Sequence, residues 1–174
     1  AEVDPSSVSA RRSLAEMHRA LGKPEAAAAI YREIMAANAN DPVARQGLVL
    51  SLFDLGRQKE AETELAALLE IEPKTFSLLT SVAYWYAAND QGEKSAEYAQ
   101  KAIDIEPRYI WSHIVLARGL MTQNKPVEAE RVLLRARQYG NFPTLDYEIA
   151  SARYQAGFYR EAAEELRKNF SVRD

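Results

Sequence analysis

The chain has 174 residues, 47% of them apolar and 27% charged, a balance that supports a buried core and excludes a disordered or fibrous polypeptide. Its 22 Lys and Arg against 25 Asp and Glu give a net charge of −3, so no cationic excess is available to neutralise a phosphate backbone and no nucleic-acid partner is expected. Cysteine is absent, which removes disulfides, thiolate metal sites and a cysteine nucleophile, and the longest apolar run, Val82 to Ala88, falls far short of the roughly 18 residues a membrane span needs. No membrane insertion is expected; a soluble protein of the cytoplasm is the first expectation, with periplasm and export both compatible.

In chain order, residues 1–7 read as a lead-in, and from Val8 onward the sequence repeats. Gly22 and Gly56 lie 34 residues apart, as do Pro73 and Pro107, while Pro24 and Pro126 are separated by 102, three such periods. The frames are 8–41, 42–75, 76–109, 110–142 and 143–174. The fourth is one residue short, because Gly157 follows Gly56 by 101, and the deletion falls near the turn from Tyr139 to Pro143. The fifth frame reaches its thirty-second position at Asp174, an expected domain edge, so 8–174 reads as one domain.

Small and apolar residues recur at frame positions 7, 8 and 11 and again at 20, 24 and 27, spacings that stack on one face of a helix, so each frame predicts two helices. Leu48, Val49 and Leu52 form such a set on a first helix, and Ala61, Leu65 and Leu68 on the second helix that follows. Gly22, Gly56 and Gly157 suit the left-handed turn after a first helix, and Pro24 and Pro126 suit a helix's first turn. Pro73 and Pro107 close second helices.

This pattern resembles the tetratricopeptide repeat family, carried by Leu48, Leu52, Gly56, Ala61, Leu65, Leu68 and Pro73 in the second frame and by Val82, Ala83, Tyr86, Ala102 and Pro107 in the third. The resemblance covers residues 8 to 174 and implies an all-α, right-handed superhelical solenoid of five helix-turn-helix repeats. The chain departs from the family at position 4, where a large aromatic is usual and Arg11, Arg45, Leu79, His113 and Asp146 stand. It departs again where Ala39 and Asn141 replace a proline. Pentatricopeptide repeats have a similar period and bind RNA, but an acidic chain lacks the basic track that role needs.

The resemblance further implies a concave groove lined by first-helix positions 2, 5, 9, 12 and 13. Among these, Arg12, Gln46, Phe53, Tyr84, Trp111, Ile114, Arg118, Met121, Tyr147 and Tyr154 are the candidate partner-binding residues. The charged residues gather in the N-terminal frames and the aromatics in the C-terminal ones, and aromatics with Arg are the types that carry energy at interfaces. Trp85 and Tyr86 are expected to fill space between repeats, whereas binding and packing both stay open for Tyr84, Trp111, Tyr147 and Tyr154. The carboxylate clamp of chaperone-binding relatives is missing, since its positions hold Arg12, Glu16, Gly47, Ser77 and Ser81.

The expected function is therefore a non-enzymatic interaction module that takes a peptide segment or protein partner in its groove, as adaptor or assembly scaffold. Homo-oligomerisation is the alternative: the fifth second helix has no following hairpin to cover Leu166 and Phe170. No catalytic residue, metal site or cofactor is expected. Both histidines, His18 and His113, fall in core slots, and no phosphate-binding loop or nucleophile turn occurs. Glu161, Glu165 and Lys168 read as a solvated helix face, and Asp146 and Arg153, seven residues apart, as a partly buried ion pair or a relaxed end repeat.

Overall fold

Residues 7–169 are described by a computed structural model, and among them the backbone forms ten α-helices and one 3₁₀ turn. The chain divides into two compact units, with the boundary between Thr75 and Phe76, the edge between the second and third frames. In the first unit α1 (Val8–Ala20) pairs with α2 (Pro24–Ala37), and α3 (Pro42–Asp54) with α4 (Gln58–Ile71). In the second unit α5 (Phe76–Ala88) pairs with α6 (Gly92–Ile105), α7 (Ile110–Thr122) with α8 (Pro126–Ala136), and α9 (Pro143–Gln155) with α10 (Tyr159–Asn169). Within each unit a second helix also packs on the first helix of the next pair.

The sequence period is reproduced in the helix boundaries. All five first helices are 13 residues long and start at the first residue of their frames, and the second helices α2, α4 and α6 are each 14. The shortened fourth frame shows as α8, which stops after 11 residues and continues as the 3₁₀ turn Arg137–Tyr139. Pro24 and Pro126 occupy first-turn positions, where the missing amide proton costs nothing.

One turn closes every hairpin. Gly22, Gly56 and Gly157 have φ of 70°, 72° and 89°, and the equivalent residues of the third and fourth frames, Asp90 and Asn124, have 57° and 58°. After each, an amide bonds a carbonyl five residues back: Lys23 to His18, Arg57 to Leu52, Gln91 to Tyr86, Lys125 to Leu120 and Phe158 to Arg153, at 2.8–2.9 Å. This wrapped C-terminus satisfies carbonyls that the helix end would orphan.

Apolar burial then locks the pairs. In the first unit Tyr31 of α2 lies so close to the backbone of α3 that a Cβ on Gly47 would sit 2.1 Å from its ring. In the second, Ile114, Leu133, Leu145 and Ile149 form one buried cluster across α7, α8 and α9, and Ala83, Ala99 and Val115 belong to another across α5, α6 and α7. Two buried hydroxyls pair across helices: Thr80 Oγ1 and Ser112 Oγ, on α5 and α7, are 2.9 Å apart.

The last repeat departs from this apolar plan. Glu165 of α10 is 2% exposed, so it does not belong to a solvated helix face. Arg137 contacts both Glu165 and Asp146, the latter at 2.7 Å, and Arg153 reaches Glu165 at 2.9 Å and Glu130 at 2.8 Å. Asp146 and Arg153 thus meet through Arg137 and Glu165, as parts of one network. Burial pushes the Glu165 carboxyl up, but the charges of Arg137, Lys168 and Arg153 and the Arg137 hydrogen bond outweigh it and hold the group below its ordinary value.

Candidate functional site

The C-terminal unit brings together side chains from three first helices. On α7, Trp111 and Arg118 lie seven residues apart and therefore on one face. The Arg118 guanidinium carbon is 5.5 Å from the centre of the Trp111 ring and 5.8 Å from that of Tyr84, which α5 supplies. Both distances fall within cation–π range. From α9, Glu148 accepts two hydrogen bonds on its Oε1, from Arg118 Nε at 3.2 Å and Nη2 at 2.5 Å.

Exposure separates the face from its support. Tyr84 is 46% exposed and Trp111 39%, while Glu148 is 4% exposed. The buried carboxylate fixes the guanidinium, and the guanidinium orients two large rings that remain open to solvent. The hydrogen bond to Glu148, opposed by burial and aided by the Glu148 charge, raises the Arg118 pKa further above its already high value. Arg118 is therefore a permanent cation whose charge Glu148 balances.

The same face continues along α9. Tyr147 and Tyr154 are exposed, and with Tyr159 and Leu166 of α10 they line an open cavity of about 450 Å³. The rings of Tyr154 and Tyr159 meet edge to face with centres 5.0 Å apart. Met121 is half-buried against the Ile114 cluster, and its carbonyl accepts a hydrogen bond from Gln155 Nε2 at 3.0 Å.

Two expected groove residues do not reach a surface. Ile114 is 1% exposed because Leu133, Leu145 and Ile149 enclose it, and Phe53 is likewise 1% exposed. Position 5 of α7 thus serves packing, as does position 5 of α5, where Thr80 is buried.

The first unit offers a different chemistry at the corresponding positions. Arg12 is paired with Asp41, and Arg19 Nε lies 2.7 Å from Asp54 Oδ2. Gln46 is half-buried on α3. Asp41 also caps α3 by accepting from the Ala44 amide at 3.0 Å. Burial raises its pKa, but the Ala44 and Val43 amides and Arg12 outweigh that and hold the carboxyl below the usual range.

The histidines have structural settings: His113 is buried with Nε2 2.7 Å from the Pro107 carbonyl oxygen, and His18 is half-buried. Among the described residues no group of three or more His, Cys, Asp or Glu is placed to hold a metal ion. No described helix is long and apolar enough to cross a membrane.

Equal first helices, a left-handed residue at one fixed position and second helices that start in register define an all-α helical-repeat protein. Two sequence models described as tetratricopeptide repeat match residues 18–82 and 110–135, and the chain belongs to the tetratricopeptide repeat family. Its helices, packed in consecutive pairs, have the tetratricopeptide-like solenoid fold of solved structures. MamA of Desulfovibrio magneticus is similar with a TM-score of 0.75 at 15% identity, over 93% of this chain and 92% of that one. A thermophilic tetratricopeptide repeat protein of Thermus thermophilus gives 0.71 at 19% identity, over 95% and 91%. The tetratricopeptide-like repeats of a putative kinesin light chain of Podosopora anserina give 0.76 at 19%, over 98% and 97%. At these identities the likeness shows the fold alone. No curated protein matches the chain. Repeats of this family are generally protein-interaction modules and typically non-catalytic.

Proposed function

We propose that the aromatic face of the second unit binds a peptide segment of a protein partner, so that the chain acts as an adaptor or assembly scaffold. The observation that carries this reading is the pair of exposed rings Tyr84 and Trp111 beside the half-buried Arg118, which buried Glu148 holds in place. Tyr, Trp and Arg are enriched among binding hot spots, and rings already oriented before contact lose little freedom on association. The test is affinity capture with quantitative mass spectrometry, comparing the native chain, a Tyr84→Ala plus Trp111→Ala variant and an Arg19→Ala control. Partners kept by the native chain and the control but lost by the double variant are expected. Equal capture by all three would place binding elsewhere.

A second reading, self-association through the last repeat, is supported by the open cavity that Leu166 lines between α9 and α10. Phe170, the other residue invoked for it, lies outside the described residues. In sedimentation, a concentration-dependent mass that collapses on Leu166→Glu is expected of this reading; a monomer before and after substitution contradicts it.

A further inference from the structure

The chemistry of the partner segment follows from what the Arg118–Glu148 pair leaves unused. Both hydrogen bonds of the pair converge on Glu148 Oε1, so Arg118 Nη1 and Glu148 Oε2 take no hydrogen bond among the described residues. Neither atom is among the buried polar atoms left without a partner: Arg118, with its side chain 32% exposed, presents Nη1 openly, and Glu148, at 5%, presents only the edge of Oε2. A guanidinium has five N–H donors and an ionised carboxylate only acceptors. The pair therefore offers a free donor and a free acceptor beneath two half-exposed rings.

Charge decides what fits. Arg118 is the one charged side chain among the expected groove positions of α5, α7 and α9, and Glu148 neutralises it. A partner carboxylate would gain little Coulomb attraction there and would meet Oε2 as a like charge, while a partner cation would meet Arg118. A neutral amide has a carbonyl for Nη1 and an N–H for Oε2, and the apolar side chains flanking it can cover the exposed faces of Tyr84, Trp111 and Tyr147. Resting on the groove reading above, we propose that the site takes an uncharged, apolar peptide segment and that the Arg118–Glu148 pair holds one of its main-chain amides.

The probe is an array of acetylated and amidated peptides, with uncharged apolar sequences set beside counterparts carrying Asp or Glu and counterparts carrying Lys or Arg. Hits are titrated against a Trp85→Phe chain, in which Trp111 is the single indole because the protein has only two Trp. Uncharged peptides are expected to change Trp111 fluorescence with an affinity that barely depends on salt. An N-methyl group walked along the best of them is expected to weaken binding at one position by about tenfold, the loss of one buried hydrogen bond. That position is expected to lose its sensitivity in Glu148→Gln, whose amide nitrogen stands where the acceptor was. The N-methyl scan is repeated by calorimetry on the native chain, which needs no variant to fold.

Preference for acidic peptides with steep salt dependence would overturn the amide assignment and leave the groove reading standing. So would a flat N-methyl scan, or binding restricted to peptides that carry Asn or Gln. Silence of Trp111 towards every class would overturn the groove reading itself.

Discussion

The first helices of the two units occupy the same frame positions and carry opposite surfaces. In the first unit Arg12 and Arg19 are bound to Asp41 and Asp54, and Glu16, Arg19 and Asp54 line a cleft of about 570 Å³ together with Ala20, Gly22 and Pro24. In the second, rings stand at the corresponding places, with a single neutralised guanidinium between them. The exposed Arg19–Asp54 pair contributes little to stability and sheds its water reluctantly. Half-exposed rings lose ordered water at a gain when covered. One backbone repeat thus supports two surfaces, the first with ion pairs beside exposed apolar side chains such as Met17 and Val43, the second with rings around one neutralised cation.

That contrast can be broken from the support side. Arg137→Ala leaves Glu165 buried with fewer cations around it and is expected to cost about 2–4 kcal/mol of stability, read by chemical denaturation. Gly47→Ala drives a methyl into the Tyr31 ring and is expected to cost about 1–3 kcal/mol. Both should leave partner affinity intact in whatever fraction folds. A melt as stable as that of the native chain after either change would contradict the packing described.

On the recognition side, Trp111→Ala is expected to cost on the order of 1–4 kcal/mol of partner binding, measured by calorimetry, and Arg19→Ala less than about 1 kcal/mol of either binding or stability. Equal losses from the two would erase the distinction between the units. Acid sharpens it in another way. Asp41 and Glu165 both have folded pKa values below their unfolded ones, so the stability they contribute is complete above the unfolded carboxylate range near ~4 and is lost as pH falls through the folded values. Stability should therefore hold at neutral pH and fall below about pH 4. Asp41→Asn and Glu165→Gln are each expected to flatten that slope.

Much of the fold was legible because repetition multiplies weak signals. A glycine, a small residue at position 8 or 20 and a proline at a helix start each mean little alone, but five frames in phase place a pair of helices in each frame, while the early end of α8 follows no period. The turn at Asp90 and Asn124 escaped a search for glycine, although short polar side chains tolerate the left-handed region for a known reason. The site was less legible. Positions 5 and 12 border the core face, so a small rotation of the helix decides whether Ile114 or Phe53 is rim or core, and spacing cannot report it. Glu148 gave no signal at all, because its partner is 30 residues away and an ion pair at that separation leaves no periodicity. Glu165 looked solvated because its i, i+3 neighbour is Lys168, while the two arginines that bury it come from other elements.

The claim that recognition resides on the second unit's aromatic face is tested most directly by photocrosslinking. Benzoylphenylalanine in place of Tyr147, on α9, and separately in place of Glu16, on α1, would be irradiated in lysate and the adducts mapped by mass spectrometry. The account expects a partner peptide attached at position 147 and none at position 16. Adducts at position 16 alone would contradict it.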